Sequence, residues 1–208
     1  MKNAFRHIAP WMLLLVLFLA TGCRESTPVT FPLSPDAVIL AFGDSLTSGA
    51  GAKETDSYPS ILEQLTGFTV VNGGVPGEIT AQGLQRLPAL LARHQPELVI
   101  LCHGGNDILR HIDSGVTAGN LRQMIEMSRS HGAQVLLLGV PRPGFVLRPA
   151  DFYRDLATEF NIPYEEKIIS KILSTRSEKS DAIHPNGAGY RRLAETLAIV
   201  IGEGTKDY

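Results

Sequence analysis

The sequence predicts an α/β fold, a three-layer α/β/α sandwich built on a parallel sheet. Two observations lead there. Runs of strand length are apolar throughout instead of alternating, the pattern of strands buried on both faces. Each run is followed by a segment of helical period, so strand and helix alternate along the chain. A third observation bears on function: glycine-rich polar blocks come directly after three of the strands, at the rim where open parallel sheets bind ligands.

The first strand is expected over Val38–Phe42, followed by others over Thr69–Asn72, Leu98–Cys102 and Val135–Gly139, with a weaker one near Ile162–Tyr164. Helices are expected over Tyr58–Leu65, Thr80–Arg93, Thr117–His131, Pro149–Phe160 and Glu166–Leu173. The last helix runs from Gly187 to Ile201. There Tyr190, Leu193, Ala194, Leu197 and Val200-Ile201 recur at helical spacing and bury one face. No internal repeat is visible.

Ahead of this domain, Lys2 and Arg6 give a short basic start and Ile8–Ala20 is apolar, ending in the small residues Thr21-Gly22. This reads as a secretory signal over residues 1–22 rather than a membrane span, which needs about 20 apolar residues. Leu19-Ala20-Thr21-Gly22-Cys23 resembles a bacterial lipobox, which implies that Cys23 is acylated and tethers an exported protein to a membrane. Ordinary cleavage nearby is the alternative and leaves a free periplasmic protein. The Ser-, Thr- and Pro-rich stretch from Arg24 to Pro35 reads as a linker, so residues 23–36 form a tether and 37–208 one domain. The formal net charge is −2 with both signs dispersed, so no basic run points to nucleic acid. Cys102, inside an apolar strand, reads as a small buried hydrophobe.

Four polar blocks remain: Gly43-Asp44-Ser45-Leu46, Gly73-Gly74-Val75-Pro76-Gly77, Gly104-Gly105-Asn106-Asp107 and Asp181-Ala182-Ile183-His184-Pro185. Taken singly, each has an ordinary explanation: Ser45 as a helix cap, Asp181 and Asn106 as turn residues, His184 as a loop histidine, and the glycines as turns. Taken together they hold the parts of a nucleophilic site. A serine hydroxyl is a poor nucleophile until a base takes its proton, and that base needs a third group to orient it. Asp181 and His184 are three residues apart, so one turn can present both.

The four blocks resemble the SGNH (GDSL-type) hydrolase family over Val38 to Ile201, most like its small bacterial arylesterase, acyl thioesterase and lysophospholipase branch. The resemblance implies a flavodoxin-like sheet and a cofactor-free hydrolase of carboxylic esters or thioesters. Ser45 is then the nucleophile, His184 the base, and Asp181 the residue that holds the imidazole tautomer. The oxyanion hole comes from the backbone N–H groups of Ser45 and Gly77 and the side-chain amide of Asn106. Gly73 and Gly74 are rivals to Gly77, and Gly74 and Pro76 stand where relatives often carry Ser.

Asp44 and Asp107 read as structural, bonding to nearby backbone. Of the remaining histidines, His7 lies in the signal, and His94, His103, His111 and His131 read as surface or strand-end residues. No metal-ligand spacing, Walker loop or Gly-x-Ser-x-Gly elbow is present. The resemblance places the acyl pocket against Ile108–Ile112 and Pro141–Leu147, whose apolar content suits a small-molecule or lipid acyl ester with a medium or long chain, or an aryl ester. Three alternatives stand beside this one: a carbohydrate O-deacetylase of the same family, a binding protein on the same fold, and a nucleotide-binding flavodoxin-like domain.

Overall fold

A computed structural model describes residues 31–202. Its main sheet has five strands: β1 (Val38–Gly43), β2 (Thr69–Gly74), β3 (Leu98–Cys102), β4 (Gln134–Leu138) and β7 (Tyr164–Glu165). They lie in the order β2-β1-β3-β4-β7, and every neighbouring pair is parallel. The chain order reverses between β1 and β3, a switch point whose crevice opens beyond the strands' carboxyl ends. Ser45 and Asn106 follow those two strands.

The helices are α1 (Ser45–Ser48), α2 (Tyr58–Thr66), α3 (Thr80–His94), α4 (Gly105–Leu109), α5 (Ser114–Ser130), α6 (Asp151–Phe160), α7 (Ile168–Ser174) and α8 (Gly187–Gly202). α2 and α7 pack on α8, and α3 and α6 on α5, giving one helical layer on each side of the sheet. Ile39, Leu40, Ala41 and Phe42 of β1 and all of β3 are buried, as uniformly apolar strands require. On α8, Tyr190, Leu193, Ala194, Leu197 and Ile201 form the buried face expected from their spacing. No helix among the described residues is long and apolar enough to cross a membrane.

Element bounds depart from the sequence reading where a local bond decides them. α5 starts three residues earlier than its apolar period because Asp113 caps it, accepting from Gly115 N at 2.9 Å and Val116 N at 3.1 Å. α6 begins after Pro149 because Arg148–Pro149 (β6) pairs antiparallel with Pro141–Arg142 (β5) in a small ribbon. Helices α1 and α4 are too short to show a period and were not expected. Phe31 and Leu33, which the sequence assigns to the tether, are buried in the core. Burial of such a side chain is worth roughly 1.5–3 kcal/mol, so the folded unit begins by Phe31. The expected signal over residues 1–22, Cys23 and the expected tether up to residue 30 lie outside the described residues.

Candidate active site

Ser45 owes its position to the way β1 ends. A Cβ on Gly43 would come within 2.0 Å of the Cys102 carbonyl on β3, so only glycine lets the two strand ends meet. The chain then turns at once into α1, with the Asp44 carboxylate accepting from Leu46 N at 3.1 Å as its cap. Ser45 is the first residue of that helix, and its backbone N–H has no partner among the described residues.

His184 arrives from the far end of the chain on a closed loop. Ser180 N donates to His184 O at 3.0 Å, and Lys179 bridges to Pro185, so the loop is tied at its base. Pro185 keeps His184 out of α8, and Asn186 caps that helix through Ala188 N and Gly189 N at 3.0 and 3.1 Å. Asp181 Oδ1 accepts from the backbone N–H of both Ile183 and His184 at 2.8 Å. Its Oδ2 lies 2.8 Å from His184 Nδ1, and His184 Nε2 lies 3.0 Å from Ser45 Oγ. One continuous Asp181–His184–Ser45 chain of hydrogen bonds results. Burial pushes the Asp181 carboxyl up, but the bonds from His184 and the two backbone N–H groups outweigh it and leave its pKa below the ordinary value.

The other two blocks meet beside this chain. Val75-Pro76-Gly77-Glu78 is a tight turn closed by Glu78 N to Val75 O at 3.2 Å, with Gly77 at φ 76°, the residue pattern of a type II turn. Only glycine adopts that conformation cheaply, and the Gly77 N–H has no partner among the described residues. The Gly77 carbonyl accepts from the Arg110 guanidinium at 2.8 Å. Asn106 Nδ2 donates to Glu78 O at 3.0 Å and reaches Asp44 Oδ2 at 3.3 Å. Asn106 therefore lines the same pocket as Ser45 and His184. Gly77 does not line it. Gly73 and Gly74 belong to β2 itself.

Beneath these donors lies a network that the sequence reading missed. His103 is fully buried, with Nε2 3.1 Å from Glu78 Oε2 and Nδ1 accepting from Gly104 N at 3.0 Å, which puts the ring hydrogen on Nε2. It is a strand-end residue, as expected, but not a surface one. Arg86 closes on Glu78 Oε1 and Oε2 at 2.9 and 2.7 Å. Burial opposes ionisation of Glu78, yet the bonds from His103 and Arg86 prevail and hold its pKa at about 2. Asp107 is structural as expected: it accepts from Thr80 N at 2.8 Å, tying the Asn106 loop to α3. Asp44 is structural too, though its reach to Asn106 puts it under the site, where burial raises its pKa. A signal for His103 did exist, since it extends a wholly apolar strand into two glycines. Glu78 gave none, because an acidic residue before a helix is an ordinary N-terminal feature.

The pocket over Ser45 is walled by Leu46, Leu109, Val140, Pro143, Leu147 and Leu173. Such a site presents one polar corner and an apolar chamber. Among the described residues no group of His, Cys, Asp and Glu is arranged to hold a metal ion.

The profile of the GDSL-like lipase/acylhydrolase family matches residues 41–192, which span every element of this site. The chain belongs to that family. It is 30% identical over 205 residues to the thioesterase 1/protease 1/lysophospholipase L1 of Escherichia coli K12, covering 95% of this chain and 93% of the relative. It is 32% identical over 171 residues to an arylesterase of Vibrio mimicus, covering 77% of this chain and 86% of that one. Among solved structures, TesA matches with a TM-score of 0.70 at 28% identity, over 78% of this chain and 97% of its own. The SGNH-hydrolase family esterase AlinE4 matches with a TM-score of 0.60 at 28% identity, over 82% and 97%. The protein is therefore a hydrolase of this family.

Proposed function

We propose that the protein cleaves carboxylic esters or thioesters through an acyl-enzyme on Ser45. The observation that carries this reading is the Asp181–His184–Ser45 hydrogen-bond chain opening into an apolar pocket. His184 Nε2 takes the Ser45 proton as Oγ attacks the carbonyl carbon, then returns it to the leaving alcohol or thiol. Water enters and attacks the acyl carbon as His184 takes one of its protons; His184 then hands that proton to Ser45 Oγ as the acyl–Oγ bond breaks and the acid leaves. Asp181 keeps the Nδ1–H tautomer and stabilises the imidazolium between these steps. The oxyanion is met by the free backbone N–H of Ser45 and the Asn106 amide, whose longer bond to Asp44 is the one to yield. The free N–H of Gly77 is the third donor that the family resemblance assigns.

The apolar walls favour an acyl chain or aryl group over acetyl, consistent with relatives named thioesterase, lysophospholipase and arylesterase. A chain-length series of p-nitrophenyl esters and acyl-CoAs tests this, with Ser45→Ala beside the wild type. Hydrolysis of medium or long chains that disappears in Ser45→Ala supports the reading. A strict acetyl preference contradicts the substrate assignment, and unchanged activity in Ser45→Ala contradicts the mechanism.

We also infer that the protein is exported and held at a membrane by acylated Cys23, with free periplasmic release after cleavage as the alternative. The support is the basic start, the apolar run Ile8–Ala20 and the lipobox-like Leu19–Cys23. Incorporation of labelled palmitate that is lost in Cys23→Ala tests it; label retained in that variant contradicts it.

A further inference from the structure

His103 and Glu78 are buried titratable residues outside the pocket of Ser45, and they join the two segments that carry Gly77 and Asn106. The two ring nitrogens of His103 serve different segments. Nδ1 accepts from Gly104 N at 3.0 Å, at the start of the loop that carries Asn106. Nε2 donates to the Glu78 carboxylate at 3.1 Å, in the turn after β2. The backbone carbonyl of that same Glu78 accepts from Asn106 Nδ2 at 3.0 Å. These links form a closed cycle. It runs from the His103 imidazole through Glu78 to the Asn106 amide, and back along the chain through Gly105 and Gly104.

The cycle supplies a restraint that the loop lacks. Asn106 follows two glycines, one of them at φ 104°, so its own backbone holds it weakly. An oxyanion donor is most effective when it is already in place as charge develops. The amide nitrogen of Asn106 has two hydrogens. The bond to Glu78 O holds one of them and leaves the other, now directed at Asp44 Oδ2 at 3.3 Å, for the oxyanion. The imidazole is itself closely held. Tyr153 Oη donates to the His103 carbonyl at 2.8 Å, and the Phe42 ring lies 5.9 Å away between centroids. A Cβ on Gly83 would come within 2.5 Å of Nε2, so glycine there lets α3 lie against the imidazole.

We propose that His103 is a positioning residue: acting through Glu78, it holds the Asn106 amide in the orientation that receives the oxyanion. The proposal rests on the acyl-hydrolase reading above and deepens it, by naming a buried group that sets kcat without touching substrate.

The test is a double-mutant cycle on the full chain, with kcat and KM for p-nitrophenyl butyrate in His103→Leu, Asn106→Ala and the double variant. His103→Leu should lower kcat roughly ten-fold with KM held within about two-fold, short of the loss of about 10² to 10³ from removing the amide itself. In the Asn106→Ala background the same substitution should cost less than about two-fold, because no amide remains to be held. Equal costs in the two backgrounds, or an unchanged kcat in His103→Leu, overturn the proposal. His103→Gln, whose amide nitrogen reaches the position of Nε2, keeps the link to Glu78 and should stay within about three-fold of the wild type. A Gln variant as impaired as the Leu variant overturns it too. Where His103→Leu does not fold, His103→Asn, too short to reach Glu78, is read in the same cycle. Side-chain amide NMR separates failure of this link from failure of the hydrolase reading. The Asn106 NH2 signals, assigned as those missing in Asn106→Ala, should be well spread in the wild type and move towards free-amide positions in His103→Leu, whether or not any ester is cleaved. Signals unmoved by His103→Leu overturn the positioning role.

Discussion

Replacing Asp181 by Asn should cost more activity than replacing it by Ala, although Asn is the closer match in shape. The carboxylate Oδ1 accepts from two backbone N–H groups at 2.8 Å, and Oδ2 meets His184 Nδ1 at 2.8 Å. In Asp181→Asn the amide oxygen must stay with the two backbone donors, so the NH2 group faces Nδ1. That forces the hydrogen onto Nε2, where the ring can no longer accept the Ser45 proton. Charge alone accounts for part of the loss. At 2.8 Å a unit pair is worth about 1.5 kcal/mol in water and about 6 kcal/mol at an effective dielectric constant of 20. The Asp181 side chain is 54% exposed, so screening holds the figure towards the lower end, at about 2–3 kcal/mol. Asp181→Ala, which loses the charge but leaves the tautomer free, should then drop kcat roughly 30- to 150-fold. Asp181→Asn adds a misdirected hydrogen bond of about 1–1.5 kcal/mol, for a total near 10³-fold. The assay is kcat for p-nitrophenyl butyrate in the two variants, with circular dichroism to confirm folding. An Asn variant as active as or more active than the Ala variant would refute the orientation argument.

Asn106→Ala removes one oxyanion donor and should lower kcat by about 10² to 10³ with little change in KM, read from saturation kinetics. Glu78→Gln tests the buried network through stability. Glu78 has its pKa lowered from 4.5 to about 2 on folding, so its contribution is fully present above pH 4.5 and disappears as pH falls towards 2. That contribution is on the order of 3 kcal/mol. Urea unfolding from pH 7 to 3 should show the wild type losing stability in that window and the variant starting lower and losing less. Gly43→Ala should destabilise the fold by more than about 3 kcal/mol, since the added methyl would sit 2.0 Å from a backbone carbonyl that cannot move without breaking the β1–β3 pairing. A normal Tm in that variant would contradict it.

Much of this molecule is readable from residues because its two main signals are local. Uniformly apolar strands such as Leu98–Cys102 have no solvent-facing side to blur their limits, and the α8 face repeats at helical spacing. The Asp181–His184 contact spans three residues, and strand-end placement brings Ser45 and Asn106 to one rim, so these four come together as expected. What the sequence did not disclose depends on contacts across the fold. Helices α1 and α4 are single turns set by strand ends and caps, and the β5–β6 ribbon has strands of two residues. His103 is 25 residues from Glu78 in the chain and Arg86 is eight from it, and nothing local marks the three as one cluster. Phe31 and Leu33 look like linker residues until the core that receives them is formed.

The central claim is that Ser45 carries the acyl group. The most direct measurement is mass spectrometry of the protein quenched in acid during turnover of a p-nitrophenyl ester, followed by peptide mapping. The account predicts one acyl adduct, on the peptide holding Ser45, absent in Ser45→Ala. An adduct on any other residue, or turnover that persists in Ser45→Ala, would contradict it.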